Sequence, residues 1–277
     1  MRRPSWPYGK LLAAAAVVIL FLLIIGPVSQ AVGLYNHALV IESGSMQHSD
    51  TSSYIGVVDT GDILLMRELP SQELVTYVDG VATGHQAFGS FGDVVIFNMA
   101  PYGLVVHRAI CRLDYNQSGG FDVPSLRNLS AEQWSTPEGP GVWWNLRDTL
   151  VLRDVGYANV TVRIDLAEML RTMTVPHGGL ITMGDNNWEE VGDERVGEYD
   201  QAYLASEEAP LPDQDVVGRG VGEVPWFGLT KVVVEGNGGE VPLNSKVAFG
   251  LALSLIYLNI LALPLIVWGS DTKRKRD

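Results

Sequence analysis

Apolar residues are distributed unevenly along this chain of 277 residues, and two long uncharged runs lie near its ends. Residues 11–34 carry no formal charge, and residues 247–268 form a second uncharged run rich in Leu, Ile, Ala and Val. A spanning helix needs about 20 apolar residues, so each run predicts a transmembrane helix by its length. Two alternatives stay open. The first run, with the small residues Ser29 and Ala31 near its end, also fits a cleavable secretory signal, and the second also fits a buried core helix.

Basic residues flank both runs on the side away from the middle of the chain. Three of them precede the first run, and residues 273–276 are all Lys or Arg. Positive flanks stay cytoplasmic, so the pattern predicts a cytoplasmic N-terminus over residues 1–10 and a basic cytoplasmic tail over residues 269–277. The sequence therefore predicts a cell-membrane protein with two spans, in which residues 35–246 form one extracytoplasmic domain.

The middle region alternates between short β-rich runs and turn residues. Turns such as Thr60-Gly61-Asp62 and Phe91-Gly92-Asp93 bound most of these runs. Many short strands with Gly and Asp turns are typical of an antiparallel sandwich or barrel. The predicted strands are Ala38–Ile41, Ile63–Met66, Val94–Phe97, Val105–Ile110, Val160–Ile164 and Lys231–Glu235.

One helix and one insertion interrupt this pattern. The helix is predicted over residues 165–173, where apolar side chains recur at i, i+3, i+4 and i+7. Asp165 and Glu168 have the spacing of a capping box, and we interpret Met169 and Met173 as core residues. Residues 113–178 form the predicted insertion. Its first part is rich in Gly, Pro, Ser and Asn and predicts loops.

Charge and cysteine content exclude several classes of function. The formal net charge is −13, and an acidic chain is a poor partner for nucleic-acid phosphates. Residues 35–246 alone carry −18, and only two of their 12 cations are lysines. An acidic, lysine-poor surface stays hydrated at very high salt, so we interpret this region as the extracytoplasmic domain of a halophile, with an ordinary acidic surface as the alternative. The single cysteine, Cys111, excludes an intrachain disulfide and a multi-cysteine zinc site.

Candidate chemistry lies in short segments that place Ser, His and Asp in that order along the chain. Ser45 lies in a Ser-Gly-Ser-Met segment, His107 in an alternating apolar run, and Asp185 in a Gly-Asp-Asn-Asn segment. A serine hydroxyl needs a base within hydrogen-bond reach, histidine has a suitable pKa, and a carboxylate can orient the imidazole. Each segment alone also has a structural interpretation, because such Ser-Gly-Ser and Gly-Asp-Asn runs commonly form turns.

Together, these segments resemble the type I signal peptidases of the archaeal and endoplasmic-reticulum kind. The resemblance covers about residues 35–110 and 180–230, and it leaves residues 113–178 without a counterpart. A histidine where bacterial relatives use lysine places the likeness on the archaeal and eukaryotic side. The motifs are Ser43-Gly44-Ser45-Met46, Gly61-Asp62-Ile63-Leu64, Gly92-Asp93-Val94-Val95, Val105-Val106-His107-Arg108 and Gly184-Asp185-Asn186-Asn187.

The resemblance implies a role for each matching residue. Ser45 would be the nucleophile, His107 the general base, and the Ser43 hydroxyl would join the Ser45 backbone amide in an oxyanion hole. Asp185 and a second carboxylate would complete the catalytic set without any metal or cofactor. The implied fold is a mostly β, antiparallel sandwich or barrel-like signal-peptidase catalytic domain between two transmembrane helices.

The chain departs from the family pattern at two places. No proline follows Ser-Met, where Gln47 and His48 stand instead, and the second carboxylate is farther from Gly-Asp-Asn than usual. Two residues fit that second position. Asp200 lies in a Tyr-Asp-Gln variant of the motif and Asp193 in a Val-Gly-Asp variant, and we favour Asp200.

The predicted function is a membrane-anchored serine endopeptidase that cleaves signal peptides from translocated preproteins. Its expected partners are those preproteins, the lipid bilayer and the protein-export machinery. One alternative is a non-catalytic β-domain that binds peptides or scaffolds an export complex, with Ser45 and His107 far apart. Another is a related protease for a specialised precursor. The sequons at Asn116, Asn128 and Asn159 leave glycosylation open.

Overall fold

The computed structural model of this protein describes residues 38–49, 51–203 and 208–273, with side chains up to residue 258 in the last helix. Residues His37–Ser245 form one compact unit. The strands are β1 Ala38–Val40, β2 Ile63–Glu68, β3 Gln86–Ala87, β4 Ser90–Phe91, β5 Val94–Met99, β6 Gly103–Tyr115, β7 Phe121–Asp122, β8 Trp134–Ser135, β9 Thr149–Val155, β10 Val160–Asp165, β11 Gly179–Met183, β12 Trp188–Val191, β13 Glu194–Gly197 and β14 Val216–Val224. The helices are α1 Tyr77–Thr83, α2 Leu166–Thr172, α3 Asp200–Tyr203, α4 Leu229–Val234 and α5 Leu243–Lys273.

The larger sheet is antiparallel and positions the candidate site. Its strand order is β1-β2-β14-β5-β6-β11, with β7 paired to the end of β6. The long strand β6 pairs with β5 through its first half and with β11 from Arg108 onward. Because β5 and β11 flank β6 on opposite sides, the described strands leave the β11 side of residues 103–107 unpaired, and His107 lies at the end of this open edge.

The predicted insertion contributes most of a second sheet. Its order is β12-β13-β10-β9-β8, antiparallel except for the parallel pair β10 and β13. Because β9 and β10 alternate buried and exposed side chains, one face of this sheet packs into a core that also includes residues of β6 and β11. The segment is therefore a folded layer, although its first part was expected to be mainly loops.

The predicted helix over residues 165–173 is confirmed as α2. Asp165 is its N-cap, and its carboxylate accepts a hydrogen bond from the Glu168 backbone amide. Met169 and Met173 are buried, as expected for core residues.

The predicted strand Lys231–Glu235 is wrong, because this segment lies in helix α4 and the turn after it. Leu229 and Val232 are buried one helical turn apart, whereas Val233 and Val234 are exposed. Burial at that spacing suits a helix, and it overrides the strand preference of consecutive valines.

The prediction of a catalytic domain between two transmembrane helices is contradicted, and so is the two-span membrane localisation. Among the residues that the structure describes, no helix is both long and apolar enough to cross a membrane. The first predicted span, residues 11–34, lies outside the described residues.

Candidate active site

Ser45 lies in a single 3₁₀ turn, Gly44–Met46, shortly after the edge strand β1. Met46 anchors the turn, because its side chain is buried in a cluster with residues of β2 and β5. Gln47 is also buried, and its side-chain oxygen accepts a hydrogen bond from the Thr60 backbone amide. Gln47 stands near the position where the resemblance leads us to expect a proline, and its contacts hold the turn there instead.

His107 and Ser45 are within hydrogen-bond distance, although 62 positions separate them in the sequence. The distance from His107 Nε2 to Ser45 Oγ is 2.9 Å, and only 5% of His107 is exposed. His107 lies opposite Val95 of β5, and its ring also contacts Phe97 edge-on. The rigid sheet therefore aims the imidazole at the turn that carries Ser45.

Asp200 completes the arrangement from the first residue of α3. Both of its carboxylate oxygens lie 2.8 Å from His107 Nδ1, and the side chain is buried. A carboxylate only accepts hydrogen bonds, so Nδ1 carries the proton that it donates to Asp200. Nε2 is then left as the acceptor for the Ser45 hydroxyl, which is the tautomer that a general base requires.

Two residues that the sequence analysis missed hold Asp200 in place. The Thr182 hydroxyl donates to Asp200 Oδ2 at 2.6 Å, and the Gln201 side chain donates to Thr182 Oγ1 at 3.0 Å. Gln201 Oε1 also accepts from the Thr182 backbone amide. The Tyr-Asp-Gln motif already contained Gln201, but only the packing of α3 on β11 shows that it acts through Thr182.

Asp193 is remote from this arrangement. It is exposed at the turn of the β12–β13 hairpin, after Gly192, whose φ is 65°. Of the two predicted second carboxylates, the structure thus brings Asp200 to His107 and leaves Asp193 on the surface.

Asp185 lies in a neighbouring buried cluster and does not contact His107 directly. It accepts two hydrogen bonds from Arg108, at 2.7 Å from Nε and 2.6 Å from Nη2, and a third at 2.9 Å from His48 Nε2. Burial alone would raise the pKa of Asp185, but the Arg108 charge and the hydrogen bonds from Arg108 and His48 outweigh it and lower that pKa to about 2. Asp185 is therefore ionised, and it neutralises the fully buried Arg108.

An open cleft of about 510 Å³ runs past the nucleophile. Ser43 lies at its edge, with Oγ 3.3 Å from Ser45 Oγ, so its hydroxyl is close to where a substrate oxyanion would form. Apolar side chains from β1, from the start of β6 and from the residues adjoining these strands line much of the rest. They are Val40, Ile41, Tyr102, Leu104, Val105 and Val106.

Cys111 does not offer an alternative nucleophile. Cys111 is fully buried, and burial raises the pKa of its thiol far above the ordinary value, so it is a poor nucleophile. Over the ranges that the structure describes, no group of three or more His, Cys, Asp or Glu side chains could hold a metal ion.

Asp59, Asp62 and Glu223 form a cluster of carboxyl groups next to Thr60, whose backbone amide donates to Gln47. Asp59 and Asp62 are buried. Asp62 accepts hydrogen bonds from the Trp226 and Asp59 backbone amides, and Asp59 accepts one from the Tyr54 amide. Burial is the main cause that raises the pKa of Asp59 and of Glu223 to about 7 and that of Asp62 to about 6. Each carboxyl therefore takes up a proton on folding between about pH 4 and its raised pKa.

We expect these three carboxyls to make the protein less stable as the pH rises from about 4 to about 7. A carboxyl whose pKa is raised on folding stabilises the native state fully below about pH 4, and that contribution is lost as the pH rises to about 7. We expect Asp59→Asn to flatten this dependence, since the amide does not ionise. Urea unfolding at pH 5 and pH 8 measures the effect, with Glu132→Gln on the exposed surface as the control. Equal pH slopes for Asp59→Asn and the wild type would contradict the prediction.

Comparisons of the chain with protein-family models, with curated proteins and with solved structures find no match. The likeness to type I signal peptidases therefore stays an expectation drawn from the sequence motifs.

Proposed function

We propose that this protein is a serine endopeptidase that cleaves signal peptides from preproteins. The observation that carries the proposal is the continuous chain of hydrogen bonds from Ser45 through His107 to Asp200. The three residues come from three separate elements, and Ser45 lies in the wall of an open cleft. The alternative of a non-catalytic peptide-binding domain expects Ser45 and His107 far apart, so a distance of 2.9 Å favours the peptidase.

The reaction follows from the direction of these hydrogen bonds. As Ser45 Oγ attacks the scissile carbonyl carbon, its proton passes to His107 Nε2, and the negative charge of Asp200 stabilises the imidazolium. The Ser43 hydroxyl and the Ser45 amide bind the developing oxyanion. The C–N bond then breaks, His107 protonates the leaving amine, and an acyl ester remains on Ser45. Water, deprotonated by His107, then attacks the ester carbonyl, the bond to Ser45 Oγ breaks, and His107 returns the proton to Ser45 Oγ as the carboxyl product leaves.

The strands beside the cleft suit an extended peptide substrate. In the described part of the chain, β1 pairs only with β2, so its other edge is open. Residues 104–106 of β6 pair with β5 on one side, and β11 pairs with β6 only from Arg108 onward. A peptide could therefore bind by β-augmentation between two open strand edges, with small side chains in the shallow apolar part of the cleft. That preference matches the small residues that precede signal-peptide cleavage sites.

Covalent labelling tests the proposal directly. We expect a fluorophosphonate probe to phosphonylate the purified full-length protein at Ser45, with the modified peptide identified by mass spectrometry. Ser45→Ala should neither be labelled nor cleave a reporter preprotein, and Ser49→Ala, on a partly exposed hydroxyl four residues away, should keep both activities. Labelling elsewhere, or preprotein cleavage by Ser45→Ala, would overturn the assignment. Profiling a panel of precursors then separates general signal-peptide cleavage from the specialised alternative.

A further inference from the structure

The inserted segment contacts the candidate site through Tyr157, in the turn between β9 and β10. Its ring stacks on the His48 ring, with centroids 4.0 Å apart and planes inclined by 17°. Its hydroxyl lies 3.1 Å from Asn186 Oδ1 and 3.3 Å from the Gln47 carbonyl oxygen. One phenolic proton therefore serves two acceptors, and both belong to segments that hold the nucleophile turn.

Asn186 is the direct partner of that turn. Its backbone amide donates to the Ser45 carbonyl at 2.8 Å, and its side-chain nitrogen donates to the Gly44 carbonyl at 3.1 Å. The side chain can make the second bond only when its nitrogen faces Gly44, which leaves its oxygen facing Tyr157. Tyr157 satisfies that oxygen and so favours the orientation of the amide that binds the turn.

The Gly184–Asn186 segment lies so close to the Ser45 turn that the turn cannot shift freely. A Cβ on Gly184, two residues before Asn186, would lie 2.6 Å from the Ser45 carbonyl oxygen. His48 extends the contact from the other side, because its Nε2 is 2.9 Å from Asp185 Oδ2 while its ring packs on Tyr157. The Ser45 turn is thus clamped between the Gly184–Asn186 segment and the inserted sheet.

We propose that Tyr157 is a positioning residue, through which the inserted sheet sets the orientation of Asn186 and, with it, the place of Ser45 Oγ relative to His107. This inference rests on the proposed function. Small displacements of a nucleophile cost much rate, because the reacting atoms must be aligned. Substrate binding in the cleft does not use Tyr157, which is absent from the cleft lining. Loss of its hydroxyl should therefore reduce kcat and leave KM nearly unchanged.

Tyr157→Phe is the decisive variant, because it keeps the stack on His48 and removes only the hydroxyl. We expect kcat for a reporter preprotein to fall about 5- to 20-fold, in the range of one lost hydrogen bond, with KM within twofold. The rate of fluorophosphonate labelling at Ser45 should fall in parallel. Tyr115→Phe is the matched control, since Tyr115 also belongs to the insertion and packs on Phe121. It should lower neither rate.

A double-mutant cycle shows whether Tyr157 acts through Asn186. If it does, Tyr157→Phe should change kcat less than twofold in an Asn186→Ala background. Unchanged kcat in Tyr157→Phe, an equal fall in Tyr115→Phe, or full additivity with Asn186→Ala would each overturn the inference while the wild type stays labelled at Ser45. A wild-type protein that is not labelled at Ser45 would instead overturn the proposed function, and this inference with it.

Discussion

Asp200→Asn should lower kcat by about 10⁴-fold, the loss expected when a triad histidine is held in the wrong tautomer. The carboxylate now accepts a hydrogen bond from His107 Nδ1. An amide nitrogen at that position would donate to Nδ1 instead, which leaves the proton on Nε2, where it faces Ser45 Oγ. His107 would then lack the lone pair that removes the serine proton. Steady-state cleavage of a reporter preprotein measures the loss, and KM should change little.

Asp193, the alternative candidate for the second carboxylate, supplies the control. Asp193→Asn makes the same chemical change on the exposed β12–β13 turn and should leave kcat within twofold of the wild type. Circular dichroism should show that both variants are folded. If Asp193→Asn lost activity while Asp200→Asn kept it, the functional carboxylate would be the one remote from His107 and the triad would be wrong.

Local pattern predicted the strands that carry the site, because alternation of apolar residues is visible within a few positions. The predicted run Val105–Ile110 lies within β6, which carries His107, and the run Ala38–Ile41 covers β1, just before the turn that carries Ser45. The second carboxylate was harder to predict, because Asp193 and Asp200 are only seven positions apart and both fit that position. The Tyr-Asp-Gln likeness favoured Asp200, but which of them meets His107 depends on how the chain returns from the β12–β13 hairpin, and that return is a tertiary contact.

The contacts that support the site were not predictable for the same reason. His48 and Tyr157 are 109 positions apart, and nothing in either segment indicates that their rings stack. The pairing of Arg108 with Asp185 also joins distant segments, although both residues stood in motifs already noted. Helix α4, where a strand was predicted over Lys231–Glu235, shows the limit of propensity, because the burial of Leu229 and Val232 one helical turn apart favours a helix.

Asp185→Asn should destabilise the protein by about 3–5 kcal/mol, the cost of leaving a buried charge without its partner. Arg108 is fully buried, and apart from Asp185 its guanidinium donates to backbone carbonyls of residues 87–92. Those carbonyls satisfy hydrogen bonds but do not neutralise the charge. Urea unfolding at pH 7 measures the loss. Glu194→Gln removes a carboxylate from an ion pair with Arg163 that is about half exposed, and it should cost less than about 1 kcal/mol.

The pH dependence of this loss distinguishes a charge effect from simple packing. Because the pKa of Asp185 is lowered on folding to about 2, its contribution to stability is fully present above about pH 4. That contribution is lost as the pH falls towards 2, where the wild-type carboxyl also becomes neutral. The stability difference between the wild type and Asp185→Asn should therefore shrink steadily between pH 4 and pH 2. A difference that stays constant over that interval would mean that Asp185 acts through its shape and hydrogen bonds. The buried Arg108 would then not need the negative charge of Asp185.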